Sequence, residues 1–114
     1  MKRRLLVLLA AAACAAPARS MPTDTLARYR DEDAELGRLY EKVVAQLKKA
    51  NPPAVKSLRA AERKWIAFRD AECRFHEETL LVAGIPTAAC LEELTLQRIA
   101  TLKNVSEALE VESR

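Results

Sequence analysis

The sequence is poor in glycine, histidine and aromatic residues, and each shortage excludes a class of protein. Its 114 residues include 2 glycines and 1 histidine, and 4% of them are aromatic. Neither the GxGxxG nor the GxxxxGK[ST] pattern occurs, which excludes the usual glycine-rich loops that hold phosphate. A single histidine also argues against a histidine-rich metal site and against most Ser/His/Asp arrangements.

Long apolar runs and strand-like alternation are missing as well. The longest apolar run, residues 5–16, is too short to span a bilayer as a permanent helix. No stretch alternates polar and apolar residues over the length of a strand. We therefore expect neither a transmembrane helix nor a sheet.

The amino terminus has the pattern of an export signal. Lys2, Arg3 and Arg4 precede the apolar run, and Ala16-Pro17-Ala18 supplies small residues for a cleavage site. We interpret residues 1–18 as a signal peptide and residues 19–114 as one domain, located in the periplasm or secreted. Without the three basic residues of the signal, 16 basic residues balance 16 acidic ones, so nucleic-acid binding is not expected.

The cysteines agree with export. Cys14 lies inside the signal, which leaves Cys73 and Cys90 as an even pair in an oxidising compartment. We predict a disulfide between them. Two alternatives stay open: Ala11-Ala12-Ala13-Cys14 loosely resembles a lipoprotein processing site, and Cys73, His76 and Cys90 could supply three zinc ligands. We expect no metal and no cofactor.

Apolar residues recur with helical period along the rest of the chain. The first helix is expected to end at Asn51-Pro52-Pro53, the second to run over residues 54–81, and the third over residues 88–109. The fold class is therefore all-α, a small antiparallel three-helix bundle with one disulfide clamping the loop between helices 2 and 3. The predicted inward residues are Leu26, Tyr29, Asp33, Leu36, Tyr40, Val43 and Leu47 on helix 1; Leu58, Ala61, Trp65, Phe68 and Phe75 on helix 2; and Leu91, Leu94, Arg98, Leu102, Val105 and Leu109 on helix 3.

Charged residues interrupt these apolar stripes. Asp33 lies on the stripe of helix 1, Arg98 on that of helix 3, and Arg69 beside Trp65 on helix 2. Because an unpaired buried charge is costly, we expect an internal Asp–Arg ion pair that sets the helix register. The alternative interpretation is a recognition or acid–base site.

A run of acidic residues follows on helix 1, and Asp31, Glu32 and Glu35 form its candidate acidic face. Such a face is usually solvated, but it could also steer the approach of a basic partner. The chain shows no pairing of a nucleophile with a base and no set of metal ligands. We therefore do not expect an enzyme.

Three blocks of sequence are distinctive: Ala34-Glu35-Leu36-Gly37-Arg38-Leu39-Tyr40, then Trp65 to Cys73 (WIAFRDAEC), then Ala89 to Thr95 (ACLEELT) with Arg98 and Leu102 following. Together they resemble the lysozyme inhibitor LprI-like N-terminal domain family of small exported bacterial proteins. The resemblance covers roughly residues 33–102. Its motif residues include Tyr40, Trp65, Arg69, Arg98 and Asp33.

The resemblance implies an exported helical domain with a Cys73–Cys90 bridge, and it implies inhibition of lysozyme. The clamped loop carries the candidate binding residues Ala83, Gly84, Ile85 and Pro86, where many family members have a Gly-Gly-Ser-like loop. Animal lysozymes are basic, so the acidic face could assist their binding. The alternative function is an accessory domain that binds another envelope protein or peptidoglycan without inhibiting lysozyme.

Overall fold

The computed structural model describes residues 22–79 and 87–114, which form three α-helices. Helix α1 spans Pro22–Ala50, α2 spans Pro52–Thr79 and α3 spans Thr87–Glu112. No strand occurs within the described ranges, and the all-α prediction is confirmed. None of these three helices is long and apolar enough to cross a membrane.

One residue, Asn51, separates α1 from α2. Its backbone N–H donates to the carbonyl of Leu47 at 2.8 Å, and its own carbonyl accepts the N–H of Ala54 at 3.0 Å. Pro52 and Pro53 occupy the first positions of α2, where a helix does not need backbone N–H donors. The helix boundary was predicted here, but the two prolines begin α2 rather than preceding it.

The ion pairs between helices define how the bundle runs. Along α1 and α3, Arg28 pairs with Glu92 at 3.0 Å, Glu35 lies 3.6 Å from Lys103, and Lys42 pairs with Glu110 at 2.9 Å. As the residue number increases along α1, the number of the ion-pair partner on α3 increases too. These two helices are therefore parallel. Helix α2 runs antiparallel to both of them.

The bundle therefore has two ends, and each end belongs to a distinct half. The junction half contains residues 37–65 and 100–114, around the α1–α2 connection. The disulfide half contains residues 22–36, 66–79 and 87–99, and it includes the predicted Cys73–Cys90 bridge, which is present. The buried aliphatic core lies mainly in the junction half; it consists of Leu36, Val43, Val44, Leu47, Val55, Ile99 and Leu102.

The inward face of α2 differs from the predicted stripe. Phe68 and Phe75 are 52% and 55% exposed, and Ala61 is exposed as well. Leu58 and Trp65 are partly buried and pack against the core as predicted, but the fully buried residues of α2 are Val55, Glu62, Arg69 and Cys73. A stripe chosen by hydrophobicity alone overlooks long polar side chains that pair across the interior. Glu62 and Arg69 do so, which rotates the buried face by about one residue, or roughly 100°.

The stripes of α1 and α3 were predicted better. On α1, Leu36, Val43 and Leu47 are buried, whereas Leu26 is exposed. On α3, Leu102 is buried as predicted, but Val105 is exposed. Helix α3 also buries Cys90, Thr95, Ile99 and Ser106, which were not predicted to face inward.

Candidate functional site

A buried arginine forms the centre of the disulfide half. The side chain of Arg69 is 7% exposed, and its Nη1 donates to Asp33 Oδ1 at 2.9 Å and to Thr95 Oγ1 at 3.3 Å. Its Nε donates to Asp70 Oδ1 at 3.0 Å. The expected Asp–Arg ion pair is thus present between Asp33 and Arg69, and it joins α1 to α2 while Thr95 adds α3.

Hydrogen bonds stabilise the positive charge of Arg69 although its side chain is buried. Burial by itself would lower the pKa of Arg69, but the hydrogen bonds to Asp33 and Asp70 outweigh it and raise that pKa. The nearby Tyr29 ring lies 5.5 Å from the guanidinium carbon. Burial also raises the pKa of the Tyr29 hydroxyl, an effect that the positive charge of Arg69 partly opposes. Arg69 therefore acts as a permanent cation inside the bundle.

A second internal ion pair joins α2 to α3, and it includes a residue that sequence reasoning missed. Arg98 donates from Nη2 and Nε to Glu62 Oε2, at 2.8 and 3.0 Å. The side chains are 16% and 9% exposed. The expected Asp–Arg pair involves Arg69, whereas Arg98 pairs with Glu62. The signal was available in the spacing, since Glu62 precedes Trp65 by three residues and Arg69 by seven, which is one helix face.

The ring of Trp65 is close to both arginines. The guanidinium carbon of Arg69 is 5.1 Å from the ring centroid, and that of Arg98 is 5.7 Å from it. Cations at this distance over an indole ring are attracted by its electron-rich face. Tyr40, the remaining motif residue, is partly buried and packs against the aliphatic core. Arg69, Arg98, Trp65 and Tyr40 are thus buried or partly buried, whereas Asp33 is exposed and reaches Arg69 from the surface of α1. Together they fix how the three helices face one another.

The three carboxylates of the candidate acidic face lie in different environments. Asp31 is exposed, whereas Glu35 lies beside Lys103. Glu32 points partly inward, and its Oε2 is buried with no hydrogen-bond partner among the described residues. Burial raises the pKa of Glu32, and the nearby Glu92 raises it further, while Arg28 lowers it. The three carboxylates lie on one side of α1, yet Asp31 alone is fully available to a partner.

Charge is distributed unevenly along the bundle. In the disulfide half, eleven acidic residues face five basic ones, whereas the junction half has ten basic residues and five acidic ones. The described residues, in which 16 acidic side chains nearly balance 15 basic ones, therefore have a strongly acidic end and a strongly basic end. An acidic end of this kind attracts basic surfaces in general.

The disulfide holds the base of the loop that connects α2 to α3. The Cα atoms of Cys73 and Cys90 are 5.5 Å apart, and Thr87 Oγ1 donates to Glu77 Oε2 at 2.8 Å inside the bridged segment. His76 pairs with Glu72 at 3.1 Å. The zinc alternative is wrong, because both sulfur atoms are bonded to each other. The candidate loop residues Ala83, Gly84, Ile85 and Pro86 lie outside the described residues.

Comparison with known proteins identifies what the chain is similar to. Residues 11–102 match the family described as lysozyme inhibitor LprI. The chain is also 34% identical over 100 residues to the uncharacterized protein R02472 of Rhizobium meliloti (strain 1021); the match covers 72% of this chain and 68% of that protein. No solved structure matches the chain.

Proposed function

We propose that this chain, which belongs to the lysozyme inhibitor LprI family, binds and inhibits a lysozyme in the bacterial cell envelope. The observation that carries the proposal is the family match, which extends over most of the chain. The family is one of inhibitors rather than enzymes, and accordingly we expect binding without catalysis. The expected signal peptide, and a disulfide that requires an oxidising compartment, support a location outside the cytoplasm.

The disulfide half is the end that we expect to contact lysozyme. Its excess of acidic residues suits the basic surface of animal lysozymes and would accelerate encounter. The Cys73–Cys90 bridge and the Thr87–Glu77 hydrogen bond hold both ends of the α2–α3 connection. A binding segment held in this way loses less conformational entropy when the complex forms. We expect Ile85 and Pro86 to supply its apolar contact.

The test is a titration of lysozyme activity on suspended cell walls with protein exported by a bacterial host and purified with its disulfide intact. We expect stoichiometric inhibition. Replacing Ile85 and Pro86 by alanine should abolish inhibition without unfolding the bundle. Asp31→Asn with Glu35→Gln should weaken inhibition by about fivefold at low salt and much less at high salt, since salt screens exposed charges.

A matched control distinguishes local steering from a general effect of net charge. Glu107→Gln with Glu112→Gln makes the same change in charge at two exposed positions of the junction half. We expect this variant to inhibit as well as the unmodified protein does. Inhibition lost equally in both double variants would contradict the assignment to the acidic end.

One observation favours the alternative of an accessory domain. Phe68 and Phe75 are more than half exposed, and their spacing of seven residues places them on the same face of α2. Exposed apolar surface of this kind often contacts another protein. Two results together would favour the accessory function over inhibition. The folded protein would leave both animal-type and goose-type lysozyme fully active, and a stable partner recovered from the periplasm would bind to this face.

A further inference from the structure

A groove between α1 and α2 has features that the packing of the bundle does not explain. It is open to solvent, and its volume is about 380 Å³, near the lower limit of small-molecule sites, roughly 300–1,000 Å³. The α1 wall is formed by Asp33, Leu36, Gly37 and Tyr40, and the α2 wall by Arg59, Glu62, Arg63 and Ile66. The groove lies beside the core, about two helical turns from the disulfide.

Gly37 lies on the α1 wall of this groove and adds no side chain to it. A Cβ atom at this position would meet nothing within 4 Å, so close helix contact does not require a glycine here. A glycine inside a helix nevertheless costs about 1 kcal/mol relative to alanine. The missing side chain therefore leaves space in the groove at the expense of the stability of α1.

The charges of the groove are not balanced. Its two carboxylates already have cationic partners, because Asp33 pairs with Arg69 and Glu62 pairs with Arg98. Arg59 and Arg63 are both exposed, and among the described residues neither has an ion-pair or hydrogen-bond partner. Their spacing of four residues places both guanidinium groups on one side of α2. A pair of this kind suits a carboxylate or a phosphate.

Apolar surface lies next to these cations. Ile66 is 41% exposed, and Leu36 and the partly buried Tyr40 line the opposite wall. From this combination we infer that the groove binds a small amphipathic anion. The carboxylate or phosphate group contacts Arg59 and Arg63, and the apolar body lies against Leu36, Tyr40 and Ile66 across Gly37.

The two glycines of the sequence provide an internal reporter. Labelling the full chain with ¹⁵N-glycine yields two amide resonances, from Gly37 and Gly84, and the Gly37→Ala variant assigns them. We expect octanoate or octyl phosphate to shift the Gly37 resonance saturably in the millimolar range, while Gly84 moves little. The better of the two ligands identifies whether a carboxylate or a phosphate is preferred. A Gly37 resonance that neither ligand moves overturns the inference.

Variants and ligand controls test the two parts of the site separately. Arg59→Ala with Arg63→Ala should weaken binding about tenfold, whereas Arg30→Ala with Arg74→Ala removes the same charge from exposed positions outside the groove and should leave binding unchanged. Gly37→Leu should block the groove, and circular dichroism verifies that each variant is folded. Equal shifts with 1-octanol, or equal binding by both arginine variants, contradict the proposal. The result does not depend on lysozyme inhibition, because the groove lies outside the candidate loop.

Discussion

The two halves of the bundle are held together by different interactions. In the junction half, Val43, Val44 and Leu102 are nearly inaccessible to solvent and pack as an aliphatic core. In the disulfide half, Arg69, Thr95 and the disulfide occupy much of the corresponding interior. Apolar packing is not directional, whereas ion pairs and a disulfide act only in particular geometries. The half that we expect to bind lysozyme is thus the half whose helix register is set by directional contacts.

The largest effect is expected at the ion pair between the two halves. Arg98→Ala leaves the carboxylate of Glu62 buried without its cation, and breaking a buried pair in this way costs about 3–5 kcal/mol. Urea denaturation of the variant measures the loss. Replacing both partners with apolar residues, Glu62→Leu with Arg98→Met, should restore much of the stability. If the double variant is as unstable as the single one, then packing rather than an unpaired charge is responsible.

The aliphatic core should respond nearly as strongly. Leu102 is 2% exposed, and truncating a buried leucine to alanine costs about 2–5 kcal/mol through lost burial and the remaining cavity. Leu96→Ala removes the same atoms from a side chain that is 46% exposed, and we expect less than about 1 kcal/mol there. Thermal denaturation followed by circular dichroism compares the two. Similar losses in both variants would contradict the position of the core.

Removal of the disulfide should produce an intermediate loss of stability that is largest in one half. Cys73→Ser with Cys90→Ser is expected to cost about 3 kcal/mol, the value typical of a bridge that closes a short loop. Hydrogen exchange locates the effect. Amides of α2 and α3 near residues 73 and 90 should exchange faster, while those of α1 around Val43 follow the global stability. A uniform increase throughout the bundle would show that the halves unfold as one unit.

The smallest effect concerns the pH dependence of stability. Because burial and Glu92 raise the pKa of Glu32, the folded chain favours the protonated carboxyl. This preference stabilises the fold fully at pH values below the pKa of Glu32 in the unfolded chain. The stabilisation is lost as the pH rises through the raised pKa of Glu32 in the folded chain. Glu32→Gln should therefore stabilise the fold by less than about 1 kcal/mol near neutral pH, and by nothing measurable near pH 3. Denaturation at both pH values measures the gain in the free energy of unfolding. Equal gains at both would exclude ionisation of Glu32 as the cause.

Periodicity predicted the helices better than it predicted their contacts. Asn51-Pro52-Pro53 and the apolar spacing located the three helices within a few residues, because these are local properties of the chain. The inward face of α2 was predicted correctly at Leu58 and Trp65 but wrongly at Phe68 and Phe75, which are more apolar than the buried Glu62 and Arg69. The sequence pattern predicted an internal Asp–Arg ion pair, and the structure contains it between Asp33 and Arg69. Glu62 was missed because a buried glutamate is identified by its partner, which lies on another helix.

Some properties of this chain were determined by the sequence alone: helices, their boundaries, the pairing of two cysteines, and a resemblance to the LprI family. Each depends on neighbouring residues or on residue identity. Tertiary structure alone decided which arginine pairs with which carboxylate, that Trp65 lies close to two guanidinium groups, and that acidic and basic residues separate toward opposite ends. These arrangements combine residues from helices distant in sequence. Burial then makes an unpaired charge far more costly than it is in water, so the fold selects the packing in which the buried charges are paired.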